Sequence, residues 1–216
     1  MRRHTIVLFV LILLSIATAI IVLSRAPSTI EQTAVAAVPR PFVVFDATLY
    51  KNKPSLAAYH VRPLTILYEP HLFVANQPPA SMPSEVIVRS LAYEQRASTD
   101  PVVLDIERWP LKGEESTVKS TVAKLLAVML WVKGEAPAVP FGLYGTVPIP
   151  DYFRAIKDPS TVEFQSWQQD NDRLEKVSSR VDALFPSIYT FFPDRQGWVA
   201  YAIAQMVEAK RNRGFK

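Results

Sequence analysis

Apolar and polar positions follow two rhythms along this chain. Short apolar runs end abruptly in acids, aromatics or prolines, and between them apolar residues return every three or four positions. An unbroken short run reads as a buried strand, and the three-to-four spacing reads as one face of a helix. The first rule predicts strands over 42–45, 64–68, 102–105, 140–144 and 187–190. The second predicts a helix capped by Ser84 that carries Val88 and Leu91. Ser116 or Thr117 opens another, striped by Val118, Val122, Leu125, Met129 and Val132. From Glu163, the positions Phe164, Trp167, Leu174, Val177, Val181 and Leu184 predict one long amphipathic helix. A last helix runs from about Trp198 to Arg211, with Val199, Ile203, Met206 and Val207 inside.

Strands that alternate with helices imply a parallel sheet with right-handed crossovers. A barrel and a doubly wound sheet both satisfy that pattern. No glycine-rich phosphate loop follows any strand, which argues against nucleotide binding.

The most informative stretch is Val102-Val103-Leu104-Asp105-Ile106-Glu107-Arg108-Trp109-Pro110. Three apolar residues lead into two carboxylates, and Pro110 marks where ladder pairing has ended. Residues two apart on a strand point the same way, so Asp105 and Glu107 project together. In parallel α/β folds the carboxyl ends of strands are where ligands bind. Paired carboxylates with separated pKa values are the working parts of glycoside hydrolysis. The plainer reading is a strand-end aspartate that caps a helix, with Glu107 solvated.

Composition changes the picture mainly at the N-terminus. The chain is 49% hydrophobic and 20% charged, an ordinary balance with a slight apolar excess. The excess comes from Ile6 to Leu23, an uncharged run of 18 residues behind Arg2, Arg3 and His4. Its length and flanking charge predict a signal peptide or membrane anchor over 1–25, with the N-terminus inside and the remainder exported. Ala34-Val35-Ala36 offers a small-residue cleavage site, so cleaved and uncleaved forms both stay open. Residues 26–41 form a Pro/Ala/Thr linker, and 42–216 the domain.

There is no cysteine, so disulfides and thiolate metal sites are excluded, and a bacterial periplasm or extracellular setting is favoured. The formal charge of +4 is carried by the ends. Setting aside Arg2, Arg3, Arg25, Lys210, Arg211, Arg213 and Lys216 leaves 17 of 24 basic residues against 20 acids. A mildly acidic body has no nucleic-acid groove. His60 and His71 lack metal-ligand spacing, so no metal or other cofactor is expected.

Three segments resemble the hyaluronidase family, glycoside hydrolase family 56. Leu104-Asp105-Ile106-Glu107-Arg108-Trp109-Pro110 is similar to its Asp-Trp-Glu signature. Phe141-Gly142-Leu143-Tyr144-Gly145-Thr146-Val147-Pro148 is similar to its Gly-Phe-Tyr-Gly-Phe-Pro segment. Asn171-Asp172-Arg173-Leu174, leading to Ala183-Leu184-Phe185-Pro186-Ser187-Ile188-Tyr189, is similar to its Asn-Asp-x-Leu…Ala-Leu-Tyr-Pro-Ser-Ile-Tyr segment. Order and spacing agree over roughly 42–213.

The resemblance implies a partial (β/α) TIM-type barrel of about five parallel strands, and a retaining, substrate-assisted glycosidase acting on an N-acetylhexosamine-containing glycan. Glu107 would be the acid, and Asp105 would orient the acetamido group and stabilise it as it becomes an oxazolinium. Tyr144, Tyr189 and Trp109 would contact substrate. An acid that donates near neutral pH needs burial and a neighbouring carboxylate to hold its proton.

This chain departs from the family at Ile106, where the family has tryptophan, and it lacks the family's cysteines and late-barrel tryptophan. A full barrel takes about 250 residues. Five strands would leave 42–45 and 187–190 as open edges and leave apolar stripes on the last two helices, predicting an oligomer or marginal stability. The alternative function is an inactive, truncated barrel that binds glycan or a protein partner at the membrane.

Overall fold

The structure, a computed structural model, describes residues 42–213. The predicted signal or anchor segment and the linker over 26–41 lie outside the described residues. Among the described residues no helix is long and apolar enough to cross a membrane.

In chain order the elements are β1 (Val44–Asp46), a 3-10 turn (Ala57–Tyr59), β2 (Val61–Pro63), β3 (Thr65–Tyr68), α1 (Glu69–Leu72), α2 (Glu85–Glu94) and β4 (Val102–Asp105). They continue with α3 (Glu115–Glu135), β5 (Phe141–Tyr144), α4 (Tyr152–Ala155), α5 (Val162–Asp172), α6 (Glu175–Ser178), β6 (Ala183–Phe185) and α7 (Arg195–Asn212). Among the described residues the fold is mixed α/β with two parallel sheets. One pairs β1 with β2, and the other runs β3-β4-β5-β6 in chain order. Only Leu64 separates β2 from β3, and its N–H donates to the Asp46 carbonyl at 3.3 Å. The strand predicted over 64–68 is therefore the second part of a longer extended segment, with β1 beside the first part.

Pairing in register makes the four-stranded sheet two-sided. Leu67, Leu104 and Leu143 share one row and join Val88, Val122 and Leu125 of the helices in the main core. Their strand neighbours Ile66, Val103 and Gly142 form the adjacent row, whose side chains point to the opposite face. A strand apolar on both faces must read as a continuous run, which is why Val102 to Leu104 has no polar break. Gly142 lets β6 approach. A Cβ there would lie 2.4 Å from the Phe185 ring and 2.5 Å from the Ala183 carbonyl oxygen.

Two helices begin close to their expected starts. Ser84 Oγ accepts the Ile87 N–H at 3.4 Å at the start of α2, and α3 opens at Glu115, next to Ser116.

The single helix predicted from Glu163 to Leu184 is instead α5, α6 and strand β6. Val181 and Leu184 happen to continue the helical spacing, but Asp182 docks the chain onto β5. Its N–H donates to the Phe141 carbonyl at 2.8 Å, and its Oδ2 accepts the Phe141 N–H at 2.9 Å. The fifth strand is consequently Ala183–Phe185 rather than 187–190. Gly145 N donates to the Phe185 carbonyl at 2.9 Å, after which Pro186 has no N–H to continue the ladder.

Helix α7 also corrects the sequence reading. Val199, Ile203, Met206 and Val207 are exposed, while Tyr201, Gln205, Glu208 and Ala209 are buried. Each of the three buried polar residues is bonded, although Gln205 Oε1 has no partner among the described residues. Tyr201 OH donates to the Ser187 carbonyl at 2.8 Å, and Gln205 Nε2 to the Ile149 carbonyl at 3.1 Å. Glu208 Oε2 accepts from Gln168 Nε2 at 3.0 Å and from Arg211 Nε at 2.8 Å. A polar seam therefore decides which side of α7 faces in, against its apolar spacing.

Candidate functional site

A cavity of about 390 Å³ opens on the sheet face opposite the leucine row. Tyr68, Asp105, Tyr144 and Tyr189 line it, with Val103 beneath and Met206 of α7 on one wall. Tyr68 and Asp105 are register partners at the carboxyl ends of β3 and β4, and Tyr144 ends β5. Three strand ends thus supply three of its polar groups, and the segment after β6 supplies Tyr189.

Asp105 is the charged group of this cavity. Its Oδ1 is buried and has no hydrogen-bond partner among the described residues. Burial pushes its carboxyl up to about 6, and the charges of Glu107 and Glu69 push the same way. Two of the tyrosines around it, Tyr68 and Tyr144, are held in the neutral form. Burial, then Asp105 and Tyr189, raises Tyr68. Burial also raises Tyr144 strongly, against the lowering effect of its bond to Ser187. Tyr144 OH donates to Ser187 Oγ at 2.8 Å, and its ring lies 6.2 Å from that of Tyr189. Ser187 also anchors Tyr201 through its carbonyl, so it ties the cavity wall to α7.

Of the candidate site residues, Asp105, Tyr144 and Tyr189 line this cavity together, and Glu107 and Trp109 do not. Glu107 is exposed, close enough for its charge to act on Asp105. The burial expected for the acid belongs to its neighbour, because alternation turns Asp105 into the cavity while the chain leaves the strand before Glu107. Trp109 is 3% exposed and belongs to the main core. Its Nε1 donates to the Ser81 carbonyl at 3.2 Å, and its ring meets Phe73 edge-on at 5.9 Å. Trp109 lines a different cavity, of about 440 Å³, beside Lys124 and Thr121.

Two residues join the site without having been singled out for it. Tyr68 carries the same positional signal as Asp105, a polar group at the end of an apolar run. Glu69 organises the loop bearing Glu107: its Oε2 accepts the Glu107 and Arg108 N–H groups, each at 3.1 Å. The stacked Arg108 guanidinium lies 3.5 Å above the Phe73 ring, and its Nε donates to Glu69 Oε1 at 2.8 Å.

No group of three His, Cys, Asp or Glu residues suited to a metal ion occurs among the described residues. His60 ends the 3-10 turn in a left-handed conformation, and His71 in α1 lies edge-on to Tyr68 at 6.3 Å. The arrangement can therefore do acid–base and electrostatic chemistry with carboxyls and phenols. One carboxylate, poised to accept a donor, lies among aromatic rings that suit the faces of a sugar.

No protein-family model, curated protein or solved structure matches this chain.

Proposed function

We propose that this chain is a hyaluronidase-like glycoside hydrolase, exported and tethered by its N-terminal apolar segment, that cleaves an N-acetylhexosamine-containing glycan with retention of configuration. The observation that carries this reading is the unpartnered Asp105 Oδ1 inside a tyrosine-lined cavity. An acetamido N–H is the donor that this oxygen lacks. The substrate's acetamido oxygen attacks the anomeric carbon while Glu107 protonates the departing glycosidic oxygen. Asp105 accepts the acetamido N–H and stabilises the positive oxazolinium that results. Water then opens that ring, giving up its proton to Glu107, so the acid is restored. Tyr144 and Tyr189 hold the sugar.

The chain-order sequence of parallel strands supports a partial (β/α) barrel, since a doubly wound sheet would contain a reversal of strand order. The exposed stripe of α7 supports association through an uncovered side of that barrel. A second reading, a glycan- or partner-binding protein without turnover, is favoured by the exposure of Glu107. Proton NMR of the reducing sugar released from an N-acetylated oligosaccharide tests the proposal. Initial release of the retained anomer supports it; an inverted anomer rules out substrate assistance, and binding without release leaves the second reading.

A further inference from the structure

The charges around the cavity bear on which glycan it admits. Asp105 is the sole ionisable acid among its described lining residues, and none of them is Lys, Arg or His. The remainder are tyrosines and apolar side chains, including Leu64, Ile66 and Val103. Two further acids, Glu69 and Glu107, stand near enough to act on Asp105. Arg108, beside Glu107 in sequence, pairs with Glu69 through Nε and stacks on Phe73, and it is not a lining residue of the cavity. A carboxylate entering here would meet like charge with no cationic lining residue to receive it. Tyrosine faces and apolar walls suit a sugar ring and an acetamido methyl, and neutral phenols donate to hydroxyl and carbonyl oxygens.

We infer that the cavity takes an uncharged N-acetylhexosamine strand and rejects strands that carry uronate groups. This rests on the glycan reading proposed above and specifies its substrate class. Selection works through repulsion as much as attraction, since each misplaced uronate faces Asp105 and Glu107, whereas Glu69 is already paired with Arg108.

Calorimetric titration of the full-length chain tests the inference, using an N-acetylglucosamine tetramer and a hyaluronan tetrasaccharide as ligands. The neutral tetramer should bind more tightly by about tenfold at low salt, an advantage of the size expected for one like-charge encounter near a protein surface. The gap should shrink as salt rises toward physiological strength, because exposed charges are then screened. Asp105→Asn should narrow it at low salt. Equal or tighter binding of hyaluronan overturns the inference, as does failure of the neutral tetramer to bind or a gap unmoved by salt. Hydrolysis is read separately on the same samples. Preferential binding of the neutral tetramer without its cleavage removes the enzymatic reading and leaves the selectivity standing.

Discussion

Glu69 holds Glu107 by its main chain: one carboxylate oxygen of Glu69 accepts the Glu107 N–H at 3.1 Å. The same oxygen accepts the Arg108 N–H at 3.1 Å, and the other accepts Arg108 Nε at 2.8 Å. One strand end thereby fixes the loop that leaves the next, and an acid positions another acid without touching its side chain. Glu69→Ala frees both N–H groups and leaves the half-buried Arg108 guanidinium without its counterion. The expected cost is about 1–3 kcal/mol. A lowered urea midpoint with an unchanged slope checks this; an unmoved midpoint would mean that the loop holds itself.

Asp105 should make stability depend on pH in the direction opposite to a salt-bridged carboxylate. Its folded value of about 6 lies above the ordinary 3.8. Between those values the folded chain keeps a proton that the unfolded chain has released. Its stabilising contribution is therefore full below about 3.8, declines as pH rises, and is gone above about 6. Chemical denaturation of the parent and Asp105→Asn across that window should differ in slope, with the variant flatter. Parallel curves would place the titration elsewhere.

Gly142→Ala should be among the most damaging single-methyl changes. The new Cβ would meet the Phe185 ring at 2.4 Å and the Ala183 carbonyl oxygen at 2.5 Å. The ring can turn, but the backbone oxygen belongs to the β5–β6 ladder. Overpacking at such a point costs about 1–3 kcal/mol. Thermal unfolding of the variant measures it, and an unchanged midpoint would show that β6 has room to slide.

Charges on the outward stripe of α7 should be tolerated. Ile203 is 59% exposed and Val207 60%. Substituting both with lysine should change stability within about 0.5 kcal/mol per site, while lowering any self-association seen by light scattering. Tyr201→Phe, on the buried side, should cost about 1 kcal/mol through its lost bond to Ser187. Severe unfolding of the lysine variant would mean that the stripe is covered within the chain.

The sequence made the strand ends legible because their physics is local. A run apolar on both faces, stopped by an acid or tyrosine, identifies β4 and β5 and leads directly to Asp105, whereas Tyr144 enters through the family resemblance. Tyr189 likewise enters through the resemblance, and it follows β6 across Pro186 instead of lying within a strand. Long-range pairing was not legible. Nothing near Asp182 reveals that its amide and carboxylate will engage Phe141, 41 residues earlier. The inner side of α7 was hidden for the same reason. Its orientation is set by Ile149, Gln168 and Ser187, which bond polar groups that the helical apolar pattern would assign to solvent. The burial of Trp109 and the exposure of Glu107 follow from how the chain turns after Asp105, and Glu69 holds that turn from the start of α1.

The most direct measurement is steady-state turnover of an N-acetylglucosamine oligosaccharide by the full-length chain, its Glu107→Gln variant and its Asp105→Asn variant. Removing a general acid costs about 10²- to 10⁴-fold in rate. The account predicts that the parent cleaves the oligosaccharide and that Glu107→Gln lowers kcat by that order with KM nearly unchanged. Asp105→Asn should also lower kcat, since an amide keeps the shape but cannot stabilise the oxazolinium charge. Absence of turnover in the parent, or a Glu107→Gln variant as active as the parent, would contradict it.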